Sequence, residues 1–166
     1  MVSRYNDTIT SVMLDGAVGA YTQAGGSPDS LAVLEAPGAF ELVSIASVLA
    51  ESGMYESVVC LGCVIKGETS HDLHISNAVA NGCAEISIKT GVPVAFGVLT
   101  TNTIEQAIER AGGRVGNKGA EAMGAVLGAA GAIAEIHKAK ETNNPGFRYA
   151  PGFDVPDKAS SASEGL

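Results

Sequence analysis

Apolar residues in this chain switch between two spacings. Strand-like runs occupy 1–5, 31–36, 57–65 and 92–100, and the third contains the uninterrupted VVCLGCVI at 58–65. A run without polar alternation predicts a strand buried on both faces, as in a parallel sheet. Between the runs the apolar positions follow a helical repeat: Ile9, Val12, Met13, Gly16, Ala17 and Ala20, then Leu42, Ile45, Ala46 and Leu49, then Ile75, Ala78, Val79, Gly82 and Ile86. A short helix carrying Ile104, Ala107, Ile108 and Ala111 follows the last strand, and a long one covers about 118–138. Strands and helices in alternation, joined by right-handed crossovers, predict a flavodoxin-like α/β domain: a doubly wound four-stranded parallel sheet with helices on both faces.

The chain has 166 residues, enough for one domain with its own core, and 46% of them are hydrophobic. A formal net charge of −8 argues against nucleic acid or an anionic membrane as the main partner, because both require a cationic face. The cations are unevenly placed, however: Arg110, Arg114 and Lys118 put three of the ten within nine residues, where a small anion can bind. No apolar leader follows Met1, which predicts a cytoplasmic, reducing location.

Cys60 and Cys63 form a C-x-x-C pattern, but residues three apart in a strand point to opposite faces, so neither a redox nor a metal site is expected. Cys83 stands alone at a helical position. The long helix carries Gly119, Gly124, Gly128 and Gly131, which predicts a face packed tightly against the sheet or another subunit. Its Gly-x-x-x-Gly spacing also occurs in membrane helices, but the apolar stretch between Glu121 and Glu135 is expected to be too short to span. The domain is expected over 1–138. The Pro, Gly and Ser-rich remainder, 139–166, is expected to be largely irregular, although it holds Phe147, Tyr149 and Phe153, three of the eight phenylalanines and tyrosines, which suggests local docking.

In a doubly wound sheet, ligands bind beyond the carboxyl ends of the strands. Four segments are expected there: Tyr5-Asn6 after the first strand, 37–41 after the second, 67–71 after the third and 100–102 after the fourth. The third matters most. A Gly-Thr-Ser turn opening a helix offers free backbone N–H groups to an anion, and His71 at the same turn exchanges protons near neutral pH.

Five motifs on these segments resemble the 6,7-dimethyl-8-ribityllumazine synthase family: APGAFEL at 36–42, LGCVIKGETSH at 61–71, VAFGVLTT at 94–101, IEQAIERAG at 104–112 and GNKG at 116–119. The resemblance extends over about 1–137, in family order. It implies a transferase of riboflavin biosynthesis that condenses 5-amino-6-(ribitylamino)uracil with 3,4-dihydroxy-2-butanone 4-phosphate, releasing phosphate and water, with no metal and no organic cofactor. His71 becomes the general acid/base. Arg110 is the phosphate-binding arginine, joined by the Gly67, Glu68 and Thr69 turn with the Glu68 side chain pointing away. Tyr5 is expected to stack on the pyrimidine, Glu41 to bind ribityl hydroxyls, and Ala39, Phe40, Val64 and Ile65 to line the substrate site. Phe96 is a pocket position contributed across the subunit interface, and Lys118, paired with Glu121, is expected to border the phosphate.

The implied assembly is a homo-oligomer built on pentamers. The short 112–115 linker favours a sixty-subunit shell, with riboflavin synthase as a candidate partner. Two departures stand out. Asp72-Leu73-His74 replaces the family's aromatic, acid and aromatic, and the chain starts several residues later than its relatives, which shortens the central first strand. The latter leads to the expectation that the reading frame extends upstream of Met1 or that the protein is poorly soluble as written. His71 and His74 alone make a weak metal site. Two other readings remain: a non-catalytic lumazine- or flavin-binding or shell-forming paralogue, and a phosphate-binding signalling domain, for which a receiver would need more aspartates than Asp7 after the first strand.

Overall fold

A computed structural model describes residues 1–146, so the expected docking of Phe147, Tyr149 and Phe153 lies outside the described residues. The elements are β1 (Val2–Ser3), α1 (Asp7–Gln23), a single 3-10 turn (Pro28–Ser30), β2 (Glu35–Ala36), α2 (Glu41–Glu51), β3 (Val58–Ile65), α3 (His71–Thr90), β4 (Val94–Thr101), α4 (Ile104–Arg110), β5 (Ala111–Gly113), β6 (Gly116–Asn117) and α5 (Lys118–Glu141). Strands β2, β1, β3 and β4 form one parallel sheet in that order. This is the flavodoxin-like α/β arrangement that the apolar pattern predicts.

Two cores sandwich the sheet. Val58, Cys60 and Val64 of β3 pack with Leu42 and Ala46 of α2 and with Val79, Cys83 and Ile86 of α3. Leu61 and Cys63 of the same strand face the other way, against Ile9 and Met13 of α1, Ala107 of α4, and Met123 and Val126 of α5. The C-x-x-C pattern is therefore split across the sheet. All three cysteines are free and buried. The neighbouring Cys83 thiol, together with burial, pushes Cys60 far above the usual thiol range, and burial pushes Cys63 up to about 11. Neither is a thiolate nucleophile.

The long helix packs closely only at its start. A side chain on Gly119 would collide with the Met13 carbonyl of α1, whereas one on Gly128 would meet open space. α5 is also, by length and composition, long and apolar enough to cross a membrane, which exceeds the short stretch expected between Glu121 and Glu135. One face of it, through Ala122, Met123 and Val126, belongs to the core.

The expected 112–115 linker is instead the turn of a small antiparallel hairpin, β5–β6, with Gly112 and Gly116 at positive φ. Asn117 ends it and starts α5. Its carbonyl oxygen accepts from the Gly119 and Ala120 N–H groups at 2.8 and 3.2 Å, and its amide donates to the Val12 and Ala111 carbonyls at 2.8 and 3.1 Å. One side chain thus caps α5 and ties it to α1 and the hairpin.

β1 and β2 are each two residues long, shorter than the runs at 1–5 and 31–36. The cause is mutual. β1 bonds β2 through the Val2 N–H to Leu34 O and the Arg4 N–H to Ala36 O, and it bonds β3 through the Met1 ammonium to Val59 O at 2.8 Å and the Leu61 N–H to Met1 O. Continuing that alternation ahead of Met1, the groups facing the next strand positions are Leu34 N–H and Ala32 C=O on one side, and Val59 N–H and Ser57 C=O on the other. A cavity of about 420 Å³ lies there, lined by Leu31, Leu34, Ser57 and Val59 among others. The buried Met1 ammonium has its pKa lowered by desolvation.

Two outcomes follow from this packing. Asn117→Ala should lower stability by about 1–3 kcal/mol, since it removes a cap and leaves partly buried groups unpaired; urea unfolding measures it. A variant with three apolar residues ahead of Met1 should melt higher, because it fills the cavity and replaces the ammonium with an amide. In the parent, a lowered amine pKa penalises the folded state below that pKa, and the penalty fades as pH rises toward 8. Melting scans from pH 6 to 9 should show that rise in the parent and a flatter profile in the extended variant.

Candidate active site

Three strand ends build one cavity at the carboxyl edge of the sheet. It has a volume of about 700 Å³. Tyr5 comes from the turn after β1, Ala39, Phe40 and Glu41 from the Pro-Gly turn into α2, and Val64, Ile65, Gly67, Thr69 and His71 from the end of β3 and the start of α3. Gly38, Cys63, Asp72, His74 and Ile75 complete the wall.

The turn into α3 is organised by its own polar groups. The His71 N–H donates to Thr69 Oγ1 at 3.4 Å, and the Leu73 and His74 N–H groups donate to Ser70 O at 3.1 and 3.4 Å. His71 is thereby fixed as the first residue of a 20-residue helix, with its ring exposed beside the cavity. The positive end of the helix dipole points at the same space. Glu68 is exposed and does not line the cavity. Tyr5 and Phe40 are 71% and 57% exposed, so both rings offer an uncovered face to a planar ligand. Asp72 has a buried Oδ1 with no hydrogen-bond partner among the described residues.

The remaining expected site residues lie elsewhere in this chain. Phe96 sits early in β4, opposite Cys60, is 41% exposed and does not line the cavity. Arg110 and Lys118 do not line it either. The physical reason is topological: α4 packs on the α1 and α5 side of the sheet, whereas the cavity opens between β1, β3, α2 and α3. The fourth expected segment, 100–102, is also absent from the wall. Its groups are spent locally: Thr101 Oγ1 donates to Thr103 O at 3.0 Å, Thr101 O accepts from the Lys66 N–H at 2.8 Å, and the Asn102 N–H donates to Gln106 Oε1 at 2.9 Å.

Among the three clustered cations, two are already paired. Arg114 donates to Glu109 Oε2 at 3.0 Å from both its backbone N–H and Nε, and Lys118 lies 2.6 Å from Glu121. Those bonds from Arg114 hold the Glu109 carboxyl below its usual range. Arg110 Nη1 donates only to the Gln106 carbonyl at 3.0 Å, and among the described residues it forms no ion pair. No lysine or arginine lines the cavity, and no group of three metal-ligating side chains occurs among the described residues.

The fold and the cavity define a flavodoxin-like α/β domain with a small-molecule site at the carboxyl edge of its sheet. A match to the 6,7-dimethyl-8-ribityllumazine synthase family spans residues 1–134, and the chain belongs to that family. Two relatives named 6,7-dimethyl-8-ribityllumazine synthase agree with it. One, from Syntrophus aciditrophicus (strain SB), is 54% identical over 121 residues, covering 73% of this chain and 79% of the relative. The other, from Deinococcus deserti, is 50% identical over 125 residues, covering 75% and 80%.

Proposed function

We propose that this chain is a lumazine synthase that condenses 5-amino-6-(ribitylamino)uracil with 3,4-dihydroxy-2-butanone 4-phosphate in riboflavin biosynthesis, a transferase working without metal or cofactor. The observation that carries the reading is that His71 and the Gly67–Thr69 turn share one cavity wall with Tyr5 and Glu41. An amine, a phosphate ester and a planar ring can therefore be held side by side.

Each group has a role that its chemistry supports. The pyrimidine lies against Tyr5 and Phe40, with its ribityl hydroxyls toward Glu41. The phosphate of the second substrate sits at the start of α3, where free N–H groups, the Thr69 hydroxyl and the helix dipole favour an anion. The pyrimidine amine attacks the ketone carbon, a C–N bond forms, and water leaves as the imine appears. Phosphate then leaves by C–O cleavage as a neighbouring proton is lost, and the second ring closes when the ribitylamino nitrogen bonds the remaining carbonyl carbon and a second water departs; His71 takes up and returns the protons these steps move. Much of the acceleration comes from holding two substrates together.

The cavity lacks a cation for a phosphate dianion, and among the described residues Arg110 forms no ion pair. We place Arg110, with Phe96 and Lys118, in the site of an adjacent copy, so that the working unit is a homo-oligomer built on pentamers and located in the cytoplasm. A lone subunit then holds half a site.

Rates of lumazine formation, followed by absorbance, test this. His71→Ala should slow turnover by about 10² to 10⁴ and leave measurable activity, since solvent still carries protons. Arg110→Ala should be slower still, and Arg110→Lys should recover only part, because an ammonium cannot reproduce the bidentate fork. Arg110→Ala that assembles and matches the parent would sink the phosphate assignment. A wild type that binds pyrimidine yet forms no product would favour the non-catalytic paralogue.

A further inference from the structure

Between β1 and α1 the chain reverses in very few residues. Arg4 and Tyr5 leave the strand, and α1 begins at Asp7, so Asn6 makes the turn. Its φ of 61° and ψ of 45° lie in the left-handed region, and apart from Asn143 it is the only non-glycine residue with positive φ among the described residues. That conformation costs a residue with a Cβ about 1–2 kcal/mol, least for asparagine. Something must hold it there.

The usual explanation for an asparagine ahead of a helix is an N-cap, in which its side-chain oxygen accepts from the first turn. Asn6 makes no such bond. Its Nδ2 crosses instead to β3 and donates to the Cys63 carbonyl at 2.9 Å. The helix is secured by other means: Asn6 O accepts from the Ile9 and Thr10 N–H groups at 2.9 and 3.1 Å, and Thr10 Oγ1 donates to Ser3 O at 2.8 Å. The Asn6 amide is thus free to tie the turn to the strand that forms the cavity wall, since both Cys63 and Tyr5 line the cavity. Tyr5 itself is 71% exposed, so packing does little to fix its ring.

We infer that Asn6 is a positioning residue: by bonding the Cys63 carbonyl from a left-handed backbone, it sets the Tyr5 ring over the cavity and so governs binding of the planar ring substrate. This deepens the reading given under Proposed function and rests on its assignment of Tyr5. Asn6 makes no hydrogen bond to the Gly67–Thr69 turn or to His71, so its effect is expected on the pyrimidine alone. A structural role in folding alone would not discriminate between the two substrates.

The test compares Asn6→Gly, which keeps the left-handed turn but loses the side-chain bond, with Asn6→Ala, which loses both. Calorimetry gives the Kd of ribitylaminouracil alone, steady-state rates give KM for each substrate, and thermal melting confirms folding. Asn6→Gly should raise the pyrimidine Kd and KM about three- to tenfold, the scale of one partly buried hydrogen bond, and Asn6→Ala by more. KM for the butanone phosphate should stay unchanged, and Asn6→Gly should add nothing on a Tyr5→Ala background. If Asn6→Ala does not fold, Asn6→Gly alone decides. A folded Asn6→Gly with pyrimidine Kd within twofold of the parent overturns the inference. Equal rises in both KM values, or additivity with Tyr5→Ala, would do the same. A parent that binds pyrimidine but makes no product, with binding weakened in Asn6→Gly, sinks the proposed reaction and leaves this inference standing. A parent that does not bind pyrimidine overturns both.

Discussion

Pairing between β3 and β4 is the constraint on which the rest depends. All eight residues of β3 pair in register with all eight of β4, while β3 meets β1 at a single position, Val2 against Leu61. Because β3 is buried on both faces, its alternate side chains are committed to two different cores, and a one-residue slip would exchange them. Leu61 and Cys60 are 1% and 0% exposed, on opposite sides. Truncating such a residue typically costs about 2–5 kcal/mol. The same register fixes where the strand ends, and therefore where Gly67, Thr69 and His71 emerge. Active-site geometry at the carboxyl edge is inherited from packing in the middle of the sheet.

Elements whose apolar pattern was set by burial on both faces were legible from residues alone. β3 was expected at 57–65 and runs Val58–Ile65, and the helix beginning at His71 follows from the turn that precedes it. The misses share a different cause. Propensity marks Leu31 to Leu34 as strand, but a strand exists only where a neighbour supplies bonds, and β1 pairs with this segment only at Glu35 and Ala36. The hairpin at Ala111–Asn117 is glycine-rich and carries no apolar alternation, so nothing local distinguishes it from a linker. Its signal was Asn117, a capping residue ahead of an apolar helix. The site shows the same division. Residues after β1, β2 and β3 fell together as sequence order and topology require, whereas 100–102, Phe96, Arg110 and Lys118 do not line the cavity, which strand order alone does not foretell.

Charge sharpens that division. The chain is acidic overall, and the cavity wall contains Glu41 and Asp72 with no lysine or arginine. A phosphate dianion entering it would find N–H groups and a helix dipole worth about 0.3–1 kcal/mol at an exposed helix end, too little to oppose two carboxylates. The missing counter-charge exists elsewhere on the surface. Arg114 and Lys118 are paired with Glu109 and Glu121, which leaves Arg110 as the cluster member without an ion pair among the described residues. Among the described residues, then, a guanidinium without an ion pair and a cavity wall without a cation lie on different sides of the same sheet.

Precision at the site also depends on contacts far from it. Asn6 joins the Tyr5 turn to the start of α1 and bonds the Cys63 carbonyl, so any shift of α1 along the sheet is felt at that turn. α1 is fixed from below by a glycine contact: with no side chain, Gly119 lets the start of α5 press against the Met13 carbonyl. Asn117 bonds the Val12 carbonyl of the same turn and caps α5 with its other end. The hairpin and the start of α5 are thereby pinned to α1. Arg110 ends the helix immediately before that hairpin, so the same pins also set where its guanidinium stands on the surface. One asparagine and one glycine, neither lining the cavity, therefore help to set where Tyr5 and Arg110 stand on the two ends of this arrangement.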